Sequence, residues 1–260
     1  MKPLGHNHDG YHGETIDIQR VLAATDRAAE RHGWERTALG RQGEFELRVL
    51  RRLARAGSPR LYLSTGIHGD EPAGPLAALR LLEDNDWPAN VTVCLLPCLN
   101  PVGFTLNRRE HTSGLDLNRD YRQPVTAEIR AHTAWLEREA AFDLCLCLHE
   151  DWEAHGFYLY ELNPDRRLSV AGQMVEAAAQ VCPIDLHEVI EGRAAQGGII
   201  LPKIVPADRP DWPEAFYLIQ HCTRLSYTLE APSDLPLPTR VAALVAATKV
   251  AVHYLAELKP

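Results

Sequence analysis

The sequence predicts an α/β protein, a three-layer α/β/α sandwich around a central mixed sheet. Three observations predict it. Short apolar runs alternate with segments of helical period for most of the chain, the pattern of a largely parallel or mixed sheet covered by helices. Glycine and proline punctuate the ends of those runs. Polar residues suited to chemistry lie just after several of them, where ligands collect in open α/β sheets.

Taken in order, Ile18, Val21, Leu22 and Ala29 repeat at helical spacing and predict a helix over 16–31. Strands are predicted over 44–53 and 60–64, the second ending at Thr65-Gly66. A helix over 72–83 opens at Pro72, whose missing N–H costs little in a first turn. Val91 to Leu96 reads as a buried strand stopped by Pro97. A helix over 125–140, strands over 142–148 and 157–162, a helix over 167–181, a strand over 224–229 and a closing helix over 239–258 complete the pattern. No linker divides the chain, so residues 1–260 are expected to form one domain. The first dozen residues are polar and aperiodic, and read as a solvated tail, or a weak incidental metal site at His6, His8 and His12, rather than as a functional element.

Composition narrows the function. A net charge of -8 argues against a general nucleic-acid binder, though a few arginines can still make one pocket positive. No apolar stretch has transmembrane length and the start lacks an apolar run, so a cytoplasmic protein with no membrane association is expected. The six cysteines form no C-x-x-C pair and read as buried thiols.

Four clusters carry possible chemistry. In Thr65-Gly66-Ile67-His68-Gly69-Asp70-Glu71-Pro72, His68 and Glu71 stand three apart and can aim at one point. Leu148-His149-Glu150-Asp151 puts a second histidine at a strand end. Two histidines and a glutamate are a common ligand set for one catalytic zinc ion, leaving a fourth position for water. Asn100-Pro101-Val102-Gly103-Phe104, Arg108-Arg109 and Gly114-Leu115-Asp116-Leu117-Asn118-Arg119 combine turn signals with arginines suited to bidentate capture of a carboxylate. Glu230 closes an apolar run, an awkward place for a charge without a partner or a task. Each cluster alone has a plain reading as solvated surface or structural side chain, and for His68 with Glu71, for His149 and for the arginine pair that plain reading is the favoured one. Four in one chain, each at a strand end or in the following loop, are harder to dismiss.

The ordered set H-x-x-E, N-P-x-G-[FY], R, G-x-D-L-N-R, L-H and a late Glu, spanning about residues 62–232, resembles the M14 zinc metallocarboxypeptidases. It is most similar to their compact bacterial, murein peptide amidase-like members. The resemblance implies that His68, Glu71 and His149 bind zinc and that Glu230 is the general base. It implies that Arg109 polarises the scissile carbonyl, and that Asn118 and Arg119 hold the free carboxylate of a peptide or amide substrate. The mobile tyrosine of digestive members has no counterpart in residues 191–198. Arg193 stands near its place and could bind a second substrate carboxylate. The same ligand set fits deacylases like aspartoacylase and succinylglutamate desuccinylase, and a zinc-containing module that only binds carboxylate-ended peptides.

Overall fold

The computed structural model of the chain describes residues 2–8, 10–203 and 209–258. Ten strands form one mixed sheet in the order β1-β2-β4-β3-β5-β10-β6-β9-β8-β7. They are β1 (Glu35–Gln42), β2 (Phe45–Arg52), β3 (Arg60–Thr65), β4 (Thr92–Leu96), β5 (Leu144–Asp151), β6 (Tyr158–Leu162), β7 (Val189–Ile190), β8 (Arg193–Gln196), β9 (Ile199–Ile200) and β10 (Ser226–Pro232). The centre, β4-β3-β5-β10, is parallel, and antiparallel pairs flank it at β2/β4 and β6/β10. The helices are α1 (Ile18–Arg31), α2 (Ala73–Asp84), α3 (Pro101–Leu106), α4 (Ala127–Leu136), α5 (Ala171–Ala179), α6 (Glu214–His221) and α7 (Leu237–Glu257).

Alternation along β5 sorts the two faces. Leu144, Leu146 and Leu148 pack into one core with α2, α5 and α7. Cys145 and Cys147 point the other way, into a core with Trp135 of α4 and Leu218 of α6. A continuous apolar strand buried on both faces is what a parallel centre requires. The α/β/α sandwich expected from the sequence is therefore the observed fold.

The helices form for local reasons. In α1, residues 18, 21, 22, 25, 28 and 29 make one buried stripe, and the Asp17 side chain accepts the Arg20 N–H to cap the start. Asn100 caps α3 by accepting the Gly103 N–H at 3.1 Å, with Pro101 at the first helical position.

Several expectations are corrected. The strand expected to stop at Leu148 continues to Asp151, and the one expected to stop at Leu229 continues to Pro232. The two pair in parallel along their full length, which holds the polar ends in the sheet. β1, α3, α6 and the short strands β7, β8 and β9 were not anticipated. β1 and β8 are largely exposed, so neither shows an apolar period. The N-terminal segment is not a loose tail: the Leu4 N–H donates to the Asp234 carbonyl at 2.8 Å, and those of Gly5 and His6 donate to the Asp234 carboxylate. Tyr11 is buried. Among the described residues, no helix is long and apolar enough to cross a membrane. All six cysteines are buried and free.

Candidate metal centre and catalytic cleft

Three elements of the parallel centre converge at their carboxyl ends. β3 ends at Thr65, and the chain turns through Gly66 at φ 63, a left-handed conformation natural to glycine. The turn places His68 and Glu71 before α2 begins. It also lies against α3: a Cβ on Gly69 would sit 2.1 Å from the Gly103 carbonyl carbon and 2.6 Å from the Arg108 oxygen. Only glycine fits there. Asn100 stitches the same region, its side-chain amide donating to the Arg109 carbonyl at 3.2 Å. The H-x-x-E and N-P-x-G motifs are thus two halves of one packed corner.

His149 enters from β5. Its Nδ1 lies 3.0 Å from one Glu71 oxygen, and His68 Nδ1 lies 2.5 Å from the other. All three residues are buried, and one ligand atom from each lies within 4.8 Å of the others. Behind His68, Asp116 Oδ1 stands 3.3 Å from Nε2. A carboxylate there keeps the proton on Nε2 and aims the Nδ1 lone pair forward, the support that metal-ligating histidines commonly have. Two imidazole nitrogens and a carboxylate converging in this way, with one ring oriented from behind, fit a divalent cation. Burial pushes the Glu71 carboxyl up, but His68 and His149 more than offset it and hold it far below its ordinary range.

The sheet register sets the rest. Glu230 of β10 pairs with His149 on one side and with Tyr158 of β6 on the other, so the three share a row on one face. One row down stand Cys147, Thr228 and Tyr160. Burial, followed by the Glu71, Asp151 and Glu191 carboxylates, raises the Glu230 carboxyl well above its usual value. A cavity of about 560 Å³ opens over these rows.

That cavity gathers the residues to which the resemblance gives a role. His68, Glu71, His149 and Glu230 line it together with Arg109, Asn118, Arg119 and Arg193. Arg109 is held by Asp116, with Nε at 3.1 Å from Oδ2, and its Nη1 reaches 3.6 Å from Glu71. Asn118 accepts the Glu214 backbone N–H at 2.8 Å, which leaves its amide hydrogens for the cavity. Arg119 Nη1 donates to the Asn118 carbonyl at 2.7 Å, and its ion pair with Asp211 is long, at 3.8 Å. Arg193 stands on β8 just after a left-handed Glu191-Gly192 turn.

Sequence reasoning missed some participants. Asp116 lay inside the G-x-D-L-N-R motif, yet nothing in its spacing showed that it would bridge Arg109 and His68. Tyr160 and Glu191, joined by a 2.5 Å hydrogen bond on the cavity wall, come from a strand and a hairpin whose meeting no local pattern reveals. Glu150 and Asp151, which follow His149 in its cluster, are both buried.

The chain matches known proteins in the same region. The succinylglutamate desuccinylase/aspartoacylase catalytic domain matches residues 57–195, a segment that holds His68, Glu71 and His149 and ends before Glu230. Carboxypeptidase SOL1 of Arabidopsis thaliana is 36% identical over 107 residues, 32% of this chain and 21% of that protein. The chain thus spans about a fifth of that relative's length. A candidate metallopeptidase of Shewanella amazonensis has the same fold, with a TM-score of 0.81 and 26% identity, covering 94% of this chain and 96% of that one. A metallo-carboxypeptidase of Pseudomonas aeruginosa, solved with (2-guanidinoethylmercapto)succinic acid, superposes with a TM-score of 0.68 at 20% identity, covering 94% of this chain and 70% of that one. With more than half of its residues matched, the chain belongs to the succinylglutamate desuccinylase/aspartoacylase catalytic-domain family.

Proposed function

We propose that residues 1–260 form one catalytic domain, a zinc-dependent metallocarboxypeptidase that hydrolyses a peptide or amide bond beside a free carboxylate. The observation that carries this reading is the convergence of His68, Glu71 and His149 in the cavity that also holds Glu230, Arg109, Arg119 and Arg193. His and carboxylate ligands favour zinc. Held there, one zinc ion supplies Lewis acidity, polarising a carbonyl oxygen and acidifying water.

The chain's own groups do the rest. Asn118 and Arg119 receive the substrate carboxylate and set the scissile bond over the cluster. Arg109, fixed by Asp116, donates to the carbonyl oxygen as it gains negative charge. Glu230 removes a proton from the attacking water and returns it to the leaving nitrogen, and its raised pKa brings it nearer the working pH of a base. Arg193 offers a second charge at the far wall. The six buried free cysteines suit a reducing cytoplasm.

The family match supports a second reading, hydrolysis of an N-acyl amino acid by the same groups. Short peptides and N-acyl amino acids incubated with zinc-loaded protein separate the two. Release of a C-terminal amino acid, lost in Glu230→Gln with zinc still bound, is the expected result. Turnover of the acyl amino acids alone moves the chain to the deacylases. An undiminished rate in Glu230→Gln removes Glu230 from the chemistry, and binding of peptides without turnover makes the protein a recognition module.

A further inference from the structure

Directly behind the metal-type cluster lies a buried ion pair that the proposed reaction does not use. Glu150 follows His149 on β5 and points to the opposite face of the sheet. Arg240 of α7 meets it there, and both side chains are fully buried. A well-packed apolar pair at such a position is often as stable or more so, so stability alone gives no reason for two charges here.

Their neighbours give one. One Glu150 oxygen accepts the N–H of Ala73, two residues after Glu71. A single carboxylate therefore joins the two backbones that carry Glu71 and His149. The other oxygen accepts from Arg240 Nη1 and, at 3.3 Å, from the Ser233 hydroxyl. Arg240 is in turn held by the N-terminal segment. Its Nη2 donates to Glu14 at 2.5 Å and its Nη1 to the Tyr11 hydroxyl at 3.2 Å. Glu14 also accepts the N–H of Leu237 at 3.2 Å, the first residue of α7, the helix that follows the strand bearing Glu230.

We propose that Tyr11 and Glu14 of the N-terminal segment, acting through Arg240 and Glu150, are positioning residues that hold the Glu71 turn and His149 at metal-binding separation. None of the four touches the ion; they fix the backbones that carry its ligands. This rests on the metal reading above.

The test uses full-length variants loaded with zinc or cobalt(II). The readouts are the rate of metal release to a chromogenic chelator, the cobalt absorption spectrum and the melting temperature of the metal-free chain. Glu150→Gln should release metal about 10–100-fold faster, the range for groups that orient ligands, with an altered cobalt spectrum. Tyr11→Phe and Glu14→Gln, the milder changes, should accelerate release several-fold. Asp17→Ala, which removes the nearby cap of α1 and an exposed ion pair with Arg20, should lower the melting temperature and leave release unchanged. Tyr11 and Glu14 variants that behave like Asp17→Ala, or a Glu150→Gln protein with wild-type release and spectrum, overturn the proposal. A wild-type chain that retains no divalent ion overturns the metal reading itself, and the positioning role with it.

Discussion

Two buried clusters under the same sheet both contain histidine, and they are built on opposite logic. In the first, Tyr121, His132, Tyr62 and Glu214 form a closed relay. Tyr62 donates to Glu214 at 2.5 Å, so it accepts from His132 Nε2 at 2.8 Å, and His132 Nδ1 accepts from Tyr121 at 2.8 Å. Every donor has one acceptor. Burial alone drives the His132 pKa down to about 3, so the ring stays neutral and needs nothing further. In the second, His68 and His149 both turn Nδ1 toward Glu71. Lone pairs and negative charge converge there, and the donor beside them, Arg109 Nη1 at 3.3 Å from His68 Nδ1, does not complete a one-donor, one-acceptor chain. A buried histidine is structural when its two nitrogens complete a chain, and a candidate ligand when its nitrogen joins other acceptors at one point.

The largest expected effects break the comparison directly. His149→Ala should reduce metal content, measured by elemental analysis, to near zero and turnover to background. His132→Phe should leave metal content unchanged. It should cost about 1–3 kcal/mol of stability in denaturant titration, because it strands the buried Tyr121 hydroxyl, while Tyr62 keeps its hydrogen bond to Glu214. A His132 variant that loses metal would erase the distinction between the clusters.

The two site arginines sharpen it at a smaller scale. Arg109 is locked to Asp116 beside Glu71, whereas Arg119 sits at the rim near Asp211. Arg109→Met should lower kcat by about 10²–10³-fold, as loss of an oxyanion donor does. Arg119→Ala should act mainly on KM, the mark of ground-state binding. Steady-state kinetics showing the reverse split would exchange the two roles.

What could be read in the sequence follows from the same contrast. The alternation of apolar runs exposed the parallel centre, because strands buried on both faces leave an uninterrupted signal, as in residues 144–148. The cluster residues stood out because charged or imidazole groups at the ends of such runs violate the pattern. Where side chains are partly solvated, no pattern is violated: β1 and β8 passed as loops. The four-residue relay could not be found at all, since His132, Tyr62, Tyr121 and Glu214 come from four separate segments and each is unremarkable in its own. The N-terminal segment was misread for a related reason. Its polar residues face buried partners, Arg240 above all, that lie more than 200 positions away.

The smallest expected effect concerns the base. Glu230 accepts a proton only as a carboxylate, so activity should fall as pH drops through its pKa. That pKa is raised, first by burial and then by Glu71, Asp151 and Glu191, with Arg109 opposing. A bound cation neutralises the Glu71 contribution and leaves Asp151 and Glu191 as the carboxylates that still act. Glu191→Gln removes one of these charges at nearly constant size, and its amide oxygen can still accept the Tyr160 hydroxyl that Glu191 now accepts. With one negative neighbour gone, ionising Glu230 becomes easier and its pKa falls. The acid limb of kcat/KM should therefore move to lower pH, by less than about one unit at this range, while metal content stays unchanged. A limb that moves upward, or stays fixed while Glu230→Gln abolishes turnover, would mean that the limb reports another group, and that the row shared by His149, Glu230 and Tyr158 does not set the proton affinity of the base.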